Sequence, residues 1–396
     1  MTGHVIYFDN NATTQPLPEV VDAMIPLLRE EYANPSSVHH FGQYVRHKVE
    51  CARQQVADLI GAQPREVLFT SSGTEATNLA IRGLLAAASA SGGPRSAKPP
   101  RARFVTTAVE HSATMRVAQW LEAQGYLVDY VAVDREGRID EGEWEAKLTD
   151  DVALASLMHA NNETGVIFDV SHLAELAAQR GIPVHVDAVQ SVGKLPIDVS
   201  SWPVQLVSLA GHKFHGPKGV GALYRRRRTR IAPLLVGGRQ EQDLRAGTEN
   251  VAGIVGMGVA AEEAKKEGHL VAQRVRELRD ALETGLQAAW PDAHINGGGA
   301  ERLYNTTNIS FPGLEAEAIL ILMSEAGICA SSGSACSSGS LEPSHVLRAM
   351  GVGEWIGHGS IRFSLSRFNT RREVDEVVAA VPKLLSRLTA RTPKSV

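Results

Sequence analysis

The chain has 396 residues, of which 43% are hydrophobic and 21% are charged, a balance typical of a globular protein with a large core. Its formal net charge of -4 argues against binding to nucleic acid or to an anionic membrane surface, and no apolar run approaches the ~20 residues of a membrane span. The first residues hold no basic region followed by an apolar stretch, so we expect a cytoplasmic protein without a signal peptide.

Strand-like and helix-like segments alternate along the first part of the chain. A turn that opens a helix follows the first predicted strand, another helix follows the second, and a clear helix ends at Gly181. The segment 86–103 is rich in Ala, Ser, Gly and Pro and is predicted to be an exposed loop without chemistry. Strands separated by helices predict an α/β fold with a mainly parallel sheet. The predicted strands are 67–70, 103–111, 127–133, 152–160, 182–189, 206–211 and 220–225.

The pattern changes near Gly258. A long charged helix is predicted from about Glu262 to Trp290, followed by a strand-like run at 305–311, a helix, and a final amphipathic helix after Arg371. We therefore predict two domains. The large one covers 15–258, and a smaller α+β domain combines 1–14 with 259–396 and carries a Ser/Gly-rich loop at 330–340.

Two charged residues follow apolar strand-like runs where ligands bind in open α/β sheets. Lys213 lies in a Gly-rich turn after 206–211, where partial desolvation would supply the neutral amine that a Schiff base requires. Asp187 ends the run VHVD and could pair with a protonated pyridine nitrogen. The alternatives, a loop lysine and a helix N-cap aspartate, stay open on these motifs alone.

Three further motifs also stand at strand ends. Gly73 and Thr74 in TSSGTEATN offer helix-start N–H groups and a hydroxyl to a phosphate, although a helix cap explains the same residues. His111 could stack on a ring or move a proton, or be structural. Asn161 and Asn162 could line the same site or only shape a turn.

The three cysteines, Cys51, Cys329 and Cys336, fit neither a disulfide framework nor a zinc site. Cys336 stands in ASSGSACSSGS, which cannot bury enough apolar surface to form rigid core, and this favours a reactive thiol. Cys51 and Cys329 lie in helical and apolar runs, so we expect them to be packed and inert.

Taken together, these segments resemble the cysteine desulfurases of the class V aminotransferase family. The resemblance spans nearly the whole chain, and no single short motif carries it. It implies the aspartate-aminotransferase-like fold of pyridoxal 5'-phosphate (PLP) enzymes, in a homodimer that converts L-cysteine to L-alanine. The motifs occur in the family's order: FDNNATT, NPSSVH, TSSGTEATN, VEHSA, NNETG, HVDAVQ, GHKFHGPKGVGALY, RAGTEN, SSGSACSSGSLEPSHVLRAMG and IRFSLSRFNT.

The resemblance also implies roles for individual residues. Lys213 matches the lysine that holds the cofactor, Asp187 the partner of the pyridine nitrogen, and His111 the histidine stacked over the ring. Cys336 matches the thiol that receives sulfur as a persulfide. The remaining matches are Asn162 and Gln190 near the phenolic oxygen, Gly73, Thr74, Gly211 and His212 near the phosphate, Thr248 reaching the phosphate of the opposite subunit, and Arg367, assisted by Asn34, at the substrate carboxylate.

One position departs from the family pattern. Many housekeeping members have a serine that donates to the phosphate two residues before the Gly-His-Lys histidine, and here that position is Ala210, which could contribute only its main chain. The long cysteine segment and SLEPSHV resemble the housekeeping and nitrogen-fixation branch, and the short tail after Leu385 favours the nitrogen-fixation enzyme.

The expected acceptor is an iron-sulfur cluster scaffold protein that serves nitrogenase assembly, with the Cys336 persulfide as a shared cluster ligand. A housekeeping desulfurase for iron-sulfur or thiolation pathways, a selenocysteine lyase, an aminotransferase of the same fold, and a catalytically silent assembly protein are the alternatives. The basic run RRRRTR at 225–230 is interpreted as a solvated turn, with docking of an acidic acceptor as the alternative.

Overall fold

The computed structural model describes residues 5–91, 102–332 and 344–389. The largest sheet has seven strands in the order β2-β8-β7-β6-β5-β3-β4. Within this described sheet β8 runs antiparallel to both neighbours, while the other strands share one direction. The predicted α/β class with a mainly parallel sheet is confirmed. The strands are β2 (Val67–Thr70), β3 (Arg103–Thr107), β4 (Leu127–Val131), β5 (Val152–Met158), β6 (Val184–Asp187), β7 (Leu206–Ala210) and β8 (Gly221–Arg225).

The central strands are buried along their whole length because helices cover both faces of the sheet. On one face α3 and α4 enclose a cluster around Leu79, Phe104 and Leu154. On the other face α2 and the first turns of α7 pack over Val56, Leu157 and Met257. The helices of this part are α1 (Pro18–Arg29), α2 (His40–Leu59), α3 (Gly73–Ser91), α4 (Ser112–Ala123), α5 (Glu141–Lys147), α6 (Val170–Gln179) and α7 (Val251–Ala289).

A second hydrophobic cluster involves the other end of the chain. It packs the later turns of α7 and the helices α8 and α11 against a three-stranded antiparallel sheet, order β12-β10-β9. The N-terminal strand β1 pairs in parallel with β11 beside it. These elements are β1 (Ile6–Tyr7), β9 (His294–Ile295), β10 (Thr306–Ser310), α8 (Ala316–Glu325), β11 (Ile328–Cys329), α9 (His345–Ala349), α10 (Glu354–Gly357), β12 (Ser360–Ser364) and α11 (Arg371–Thr389).

The helix α7 begins earlier than the sequence pattern predicted. It starts at Val251, where the side chain of Asn250 accepts a hydrogen bond from the Gly253 N–H, rather than near Glu262. The first turns hold small residues because α2 passes very close: a Cβ added at Gly258 would lie 2.7 Å from Ala52. A charge pattern could not reveal these buried turns. The helix is continuous across 258/259, and the division into two domains stays a prediction.

Two other expectations also meet a clear outcome. Cys51 is exposed, which corrects the prediction that it is packed, because α2 turns Val49 and Ala52 inward and leaves position 51 outside. In the basic run, Arg226 donates to three main-chain carbonyls, including that of Val204 at 2.7 Å, so part of this run is a structural turn.

Along the described parts of the chain, every helix is too short or too polar to span a lipid bilayer.

Candidate active site

The carboxyl ends of β5, β6 and β7 open into a cavity of about 230 Å³. Parallel strands bring their last residues to one edge of the sheet, and the start of α3 closes the cavity from another side. Nine of the predicted site residues line this cavity together: Gly73, Thr74, His111, Asn162, Asp187, Gln190, Ala210, His212 and Lys213.

Lys213 ends a short 3-10 turn, Gly211–Lys213, directly after β7. Its Nζ donates to the main-chain oxygens of Asn11 and Ala12, the latter at 3.0 Å. The side chain also borders a second, small cavity of about 30 Å³, so it lies in the wall between two spaces. Lys213 is therefore directed inward rather than towards bulk solvent.

Asp187 is the last residue of β6 and is buried. Its Oδ1 accepts a hydrogen bond from the Val189 N–H at 3.0 Å, but the fully described stretch 188–205 forms turns and no helix. The N-cap alternative for Asp187 is therefore wrong. Burial raises the pKa of its carboxyl, and the charges of His111 and Lys213 act in the opposite direction. A cationic partner in the cavity would stabilise the carboxylate form.

Gly73 is the first residue of α3, and Ser72 supplies the helix cap: its Oγ accepts from the Glu75 N–H at 3.1 Å. The first N–H groups of a helix have no partner within the helix, and here they lie at the cavity. Space is tight, because a Cβ at position 73 would lie 2.7 Å from Val189 Cγ2 and 3.3 Å from the Ala210 Cβ. The helix cap is therefore compatible with anion binding at the same motif.

His111 caps α4, and its Nδ1 accepts from the Ala113 N–H at 3.1 Å. The neutral ring must then carry its proton on Nε2. The strand before it ends at Thr107, four residues earlier than predicted, because residues 108–110 turn towards the cavity.

Asn161 and Asn162 have different roles: Asn161 shapes a turn, and Asn162 lines the cavity. Asn161 shapes the turn, since its Oδ1 accepts from the N–H groups of Glu163 and Thr164 at 2.8 and 3.0 Å. Asn162 lines the cavity, and its buried Oδ1 has no hydrogen-bond partner among the described residues. A buried amide oxygen of this kind calls for a donor from a ligand.

The imidazole of His212 contacts Thr13 Oγ1 through Nδ1 at 3.2 Å. Burial, together with the charges of Lys213, Lys218 and Lys194, lowers its pKa to about 4. His212 is therefore neutral at pH 7 and can donate or accept a hydrogen bond without adding charge.

The other predicted residues lie elsewhere. Arg367 borders the small cavity and is paired with the largely exposed Glu267 at 3.3 Å. Gly211 is buried in the turn between β7 and Lys213. Asn34 and Thr248 are exposed and border neither cavity. Cys336 lies outside the described residues.

Three ionisable residues near the cavity were not predicted from the sequence. Lys194 contacts Gln190, Glu110 is fully buried next to His111, and Arg362 donates to the Asn162 carbonyl at 3.0 Å. Burial raises the pKa of Glu110 to about 8. A carboxylate inside the apolar run TTAVEH was the one available signal, since such a residue is rarely buried without a reason.

Comparison with known proteins adds an independent line of evidence. The family model described as "Aminotransferase class-V" matches residues 6–377. Cysteine desulfurase 2 of Trichormus variabilis is 52% identical over 99% of this chain and 96% of its own length. Cysteine desulfurase NifS of Azotobacter vinelandii is 48% identical over 98% of this chain and 94% of its own.

Solved structures agree with these matches. A NifS-like protein superposes with a TM-score of 0.89 at 37% identity, covering 97% of this chain and all of its own. A structure described as SspA in complex with cysteine has a TM-score of 0.80 at 32% identity, covering 92% of this chain and all of its own.

Proposed function

We propose that this chain, which belongs to the class V aminotransferase family and is a PLP-dependent cysteine desulfurase, uses Lys213 to hold its cofactor and Cys336 to receive sulfur from L-cysteine. The predicted family, fold, activity and cofactor are confirmed by the matches over nearly the whole chain. The roles of individual residues, the dimer, the acceptor and the pathway are parts of the proposal.

The residues around the large cavity fit PLP by their chemistry. The start of α3 at Gly73 and Thr74 offers N–H groups to a phosphate, Lys213 offers an amine to an aldehyde, and Asp187 offers a carboxylate to a ring nitrogen. The unpartnered Oδ1 of Asn162 could accept from the same ligand. Ala210 has no hydroxyl, so a donation that many relatives take from serine must come here from main-chain N–H groups, Thr74 or His212.

When bound, PLP supplies an electron-withdrawing ring that stabilises negative charge at the α-carbon of an attached amino acid. Around it, Arg367 would bind the substrate carboxylate with its planar guanidinium, and the Lys213 amine would take the α-proton. The thiolate of Cys336 would attack the substrate sulfur. An S–S bond forms, the Cβ–S bond breaks, and a proton takes the place of sulfur, so L-cysteine and the Cys336 thiol yield L-alanine and a persulfide without an external oxidant.

Contacts made by the described residues on either side of Cys336 support its proposed role. Before it, Ser331 exchanges two main-chain hydrogen bonds with Arg362, which itself contacts Asn162 at the cavity. After it, Ser344 donates to Glu163, and His345 lies 2.9 Å from the Glu110 carbonyl, next to His111. The described residues on both sides of the segment that carries Cys336 therefore contact residues at or next to the cavity, and this supports the proposed role of the cysteine.

Position contributes more than acidity to this step. A thiol with an ordinary pKa is only a few per cent ionised at pH 7, and full deprotonation costs about 2 kcal/mol. Holding the two sulfur atoms together can lower the barrier by roughly 7–11 kcal/mol. A cysteine that is held beside the substrate sulfur therefore needs no specially lowered pKa to react.

The acceptor in this proposal is an iron-sulfur cluster scaffold protein, and the pathway is nitrogenase cluster assembly. The relative named NifS and the long segment around Cys336 support the choice over a housekeeping role. The proposal includes a homodimer in which the exposed Thr248 reaches the cofactor phosphate of the opposite subunit. Mixing Thr248→Ala with Lys213→Ala protein tests this point, because only a shared site allows a mixed dimer to regain activity.

The central experiment measures L-alanine and sulfide formed from L-cysteine. Cys336→Ala should keep the visible absorbance of the cofactor-loaded protein but lose alanine production, and Cys51→Ala, which removes an exposed thiol elsewhere, serves as the matched control. Lys213→Ala should lose the lysine-linked absorbance. Full turnover by Cys336→Ala, or an unchanged spectrum in Lys213→Ala, would overturn the corresponding role.

A further inference from the structure

A second lysine, Lys194, lies close to the predicted cofactor lysine, Lys213. The Nζ of Lys194 donates to the main-chain oxygen of Gln190 at 3.0 Å and to its side-chain Oε1 at 3.1 Å. Lys194 borders the small cavity whose wall also includes Lys213. No step of the proposed mechanism uses it.

The contacts of Gln190 fix which way its side-chain amide points. An ammonium group can only donate, so the atom that faces Lys194 must be the amide oxygen. The Nε2 group then donates to the main-chain oxygen of Asn11 at 2.9 Å, and this same oxygen accepts from Lys213 Nζ. Lys194 and Lys213 are thus joined through one amide and one carbonyl, and Gln190 is one of the residues that line the large cavity.

The charges around Lys194 are mainly positive. Lys213 faces it from the turn after β7, Arg362 from β12, and Arg367 from the chain that follows β12. His212 and His215 also face it, but burial lowers the pKa of each to about 4, so both are neutral at pH 7. The acidic groups nearby are Asp187 at the large cavity, which interacts with Lys213, and Glu267 of α7, which is paired with Arg367. Among the described residues that line the small cavity, none is a carboxylate.

We infer that Lys194 is a positioning residue for Lys213: it holds the Gln190 amide with its NH2 towards the cofactor cavity, and its charge weakens proton binding at the Lys213 nitrogen. This inference rests on the proposed role of Lys213 as the cofactor lysine. A positive neighbour adds to the effect of desolvation in making a lysine a base near neutral pH, because the ordinary pKa of a lysine is about 10.4.

The electrostatics agree with this geometry. Burial, followed by the charges of Lys213 and Arg362, lowers the pKa of Lys194 to about 7. The repulsion between the two lysines is mutual, so a proton on one disfavours a proton on the other. In the intact protein the two amines should therefore lose their protons over a wider pH range than a single independent group.

Three substitutions separate the hydrogen bond from the charge. Lys194→Arg keeps both, Lys194→Gln keeps a donor for Gln190 but removes the charge, and Lys194→Met removes both. Lys266→Met, at an exposed lysine of α7, is the matched control. The measurement is the visible absorbance of each cofactor-loaded protein from pH 5 to 10, which follows the proton on the Lys213 nitrogen, together with the cofactor dissociation constant and the melting temperature of the cofactor-free protein.

The midpoint of the absorbance titration should rise by about one pH unit in Lys194→Met and Lys194→Gln, and the curve should sharpen to that of a single proton. The cofactor dissociation constant should rise about tenfold in Lys194→Met and less in Lys194→Gln. Lys194→Arg and Lys266→Met should match the wild type. If the titration curve of Lys194→Met equals that of the wild type while Lys213→Ala still loses the absorbance, this inference alone is overturned. An absorbance that survives in Lys213→Ala would instead overturn the proposed function.

Discussion

Glu110 offers a direct test of how the interior next to His111 is built. Its side chain is fully buried, Oε1 accepts from Thr107 Oγ1 at 2.7 Å and from the Met158 N–H at 2.9 Å, and Oε2 has no partner among the described residues. Burial raises the pKa of this carboxyl from 4.5 to about 8, so it is protonated at pH 7. Glu110→Gln would keep the shape and the accepting oxygen but remove the ionisation.

The raised pKa of Glu110 determines how the stability of the protein changes with pH, in both sign and size. In the unfolded chain the carboxyl ionises above pH 4.5, whereas in the folded protein it stays protonated up to about pH 8. The contribution of Glu110 to stability is therefore fully present below pH 4.5 and is lost as the pH rises to about 8, at about 1.4 kcal/mol per pH unit. Relative to the wild type, Glu110→Gln should gain up to about 5 kcal/mol over this window.

The assay is urea unfolding of the cofactor-free protein at pH 5, 6, 7 and 8, in which the free energy of unfolding of Glu110→Gln is compared with that of the wild type. Buried histidines such as His185, whose pKa burial lowers to about 3, are present in both proteins, so their effects cancel in the difference. Glu317→Gln, at an exposed position of α8, is the control and should show no such trend. Parallel pH profiles of Glu110→Gln and the wild type would refute the reasoning.

Of three further predictions, two concern the cavity and the third concerns the buried ion pair between Arg53 and Glu241. Gly73→Ala should lose about 1–3 kcal/mol of stability in urea unfolding and bind the cofactor more weakly in fluorescence titrations, because its Cβ would press on Val189 at 2.7 Å; unchanged affinity would contradict the phosphate site. Asp187→Asn should raise the cofactor dissociation constant about 10- to 100-fold at pH 7, since a charged hydrogen bond contributes roughly 1.5–3 kcal/mol, and equal affinities would argue against the pair. Glu241→Ala should lower the free energy of unfolding by up to about 3–5 kcal/mol, because it removes the two 2.7 Å contacts of the buried Arg53 guanidinium and leaves it only the Val67 carbonyl and the half-exposed Glu50; a loss below 1 kcal/mol in urea unfolding would show that water replaces the pair.

The sequence predicted the large sheet well because its signals are local. A buried parallel strand is a short apolar run, and β5, β6 and β7 are buried at every position. The ends of the strands were predicted less well. His111 continues an apolar run in the sequence, but in the structure the strand has already ended before it. The start of α7 was missed because its buried turns hold small residues rather than a charged face.

Site residues could be proposed only where a motif carried them. Asp187 and Lys213 follow strands, and this placement alone suggests that they meet at one sheet edge. The contact between Lys194 and Gln190 has no such signal, because a lysine four residues after a glutamine in a turn usually points to water. The pair Arg53–Glu241 joins residues 188 positions apart, so no local pattern can announce it.

The two cavities that share Lys213 differ in charge, and the difference suits an amino-acid substrate. Asp187 is the one carboxylate among the described residues that line the large cavity, whereas Lys194 and Arg367 border the small one. A substrate carboxylate should therefore bind on the side of Arg367. The present partner of Arg367, Glu267, has a side chain that is 55% exposed, against 15% for Arg367, and ion pairs that solvent reaches contribute only about 0–1 kcal/mol. A substrate carboxylate that excludes water should be able to displace so weak a partner, so the ion pair with Glu267 is compatible with the proposed role of Arg367.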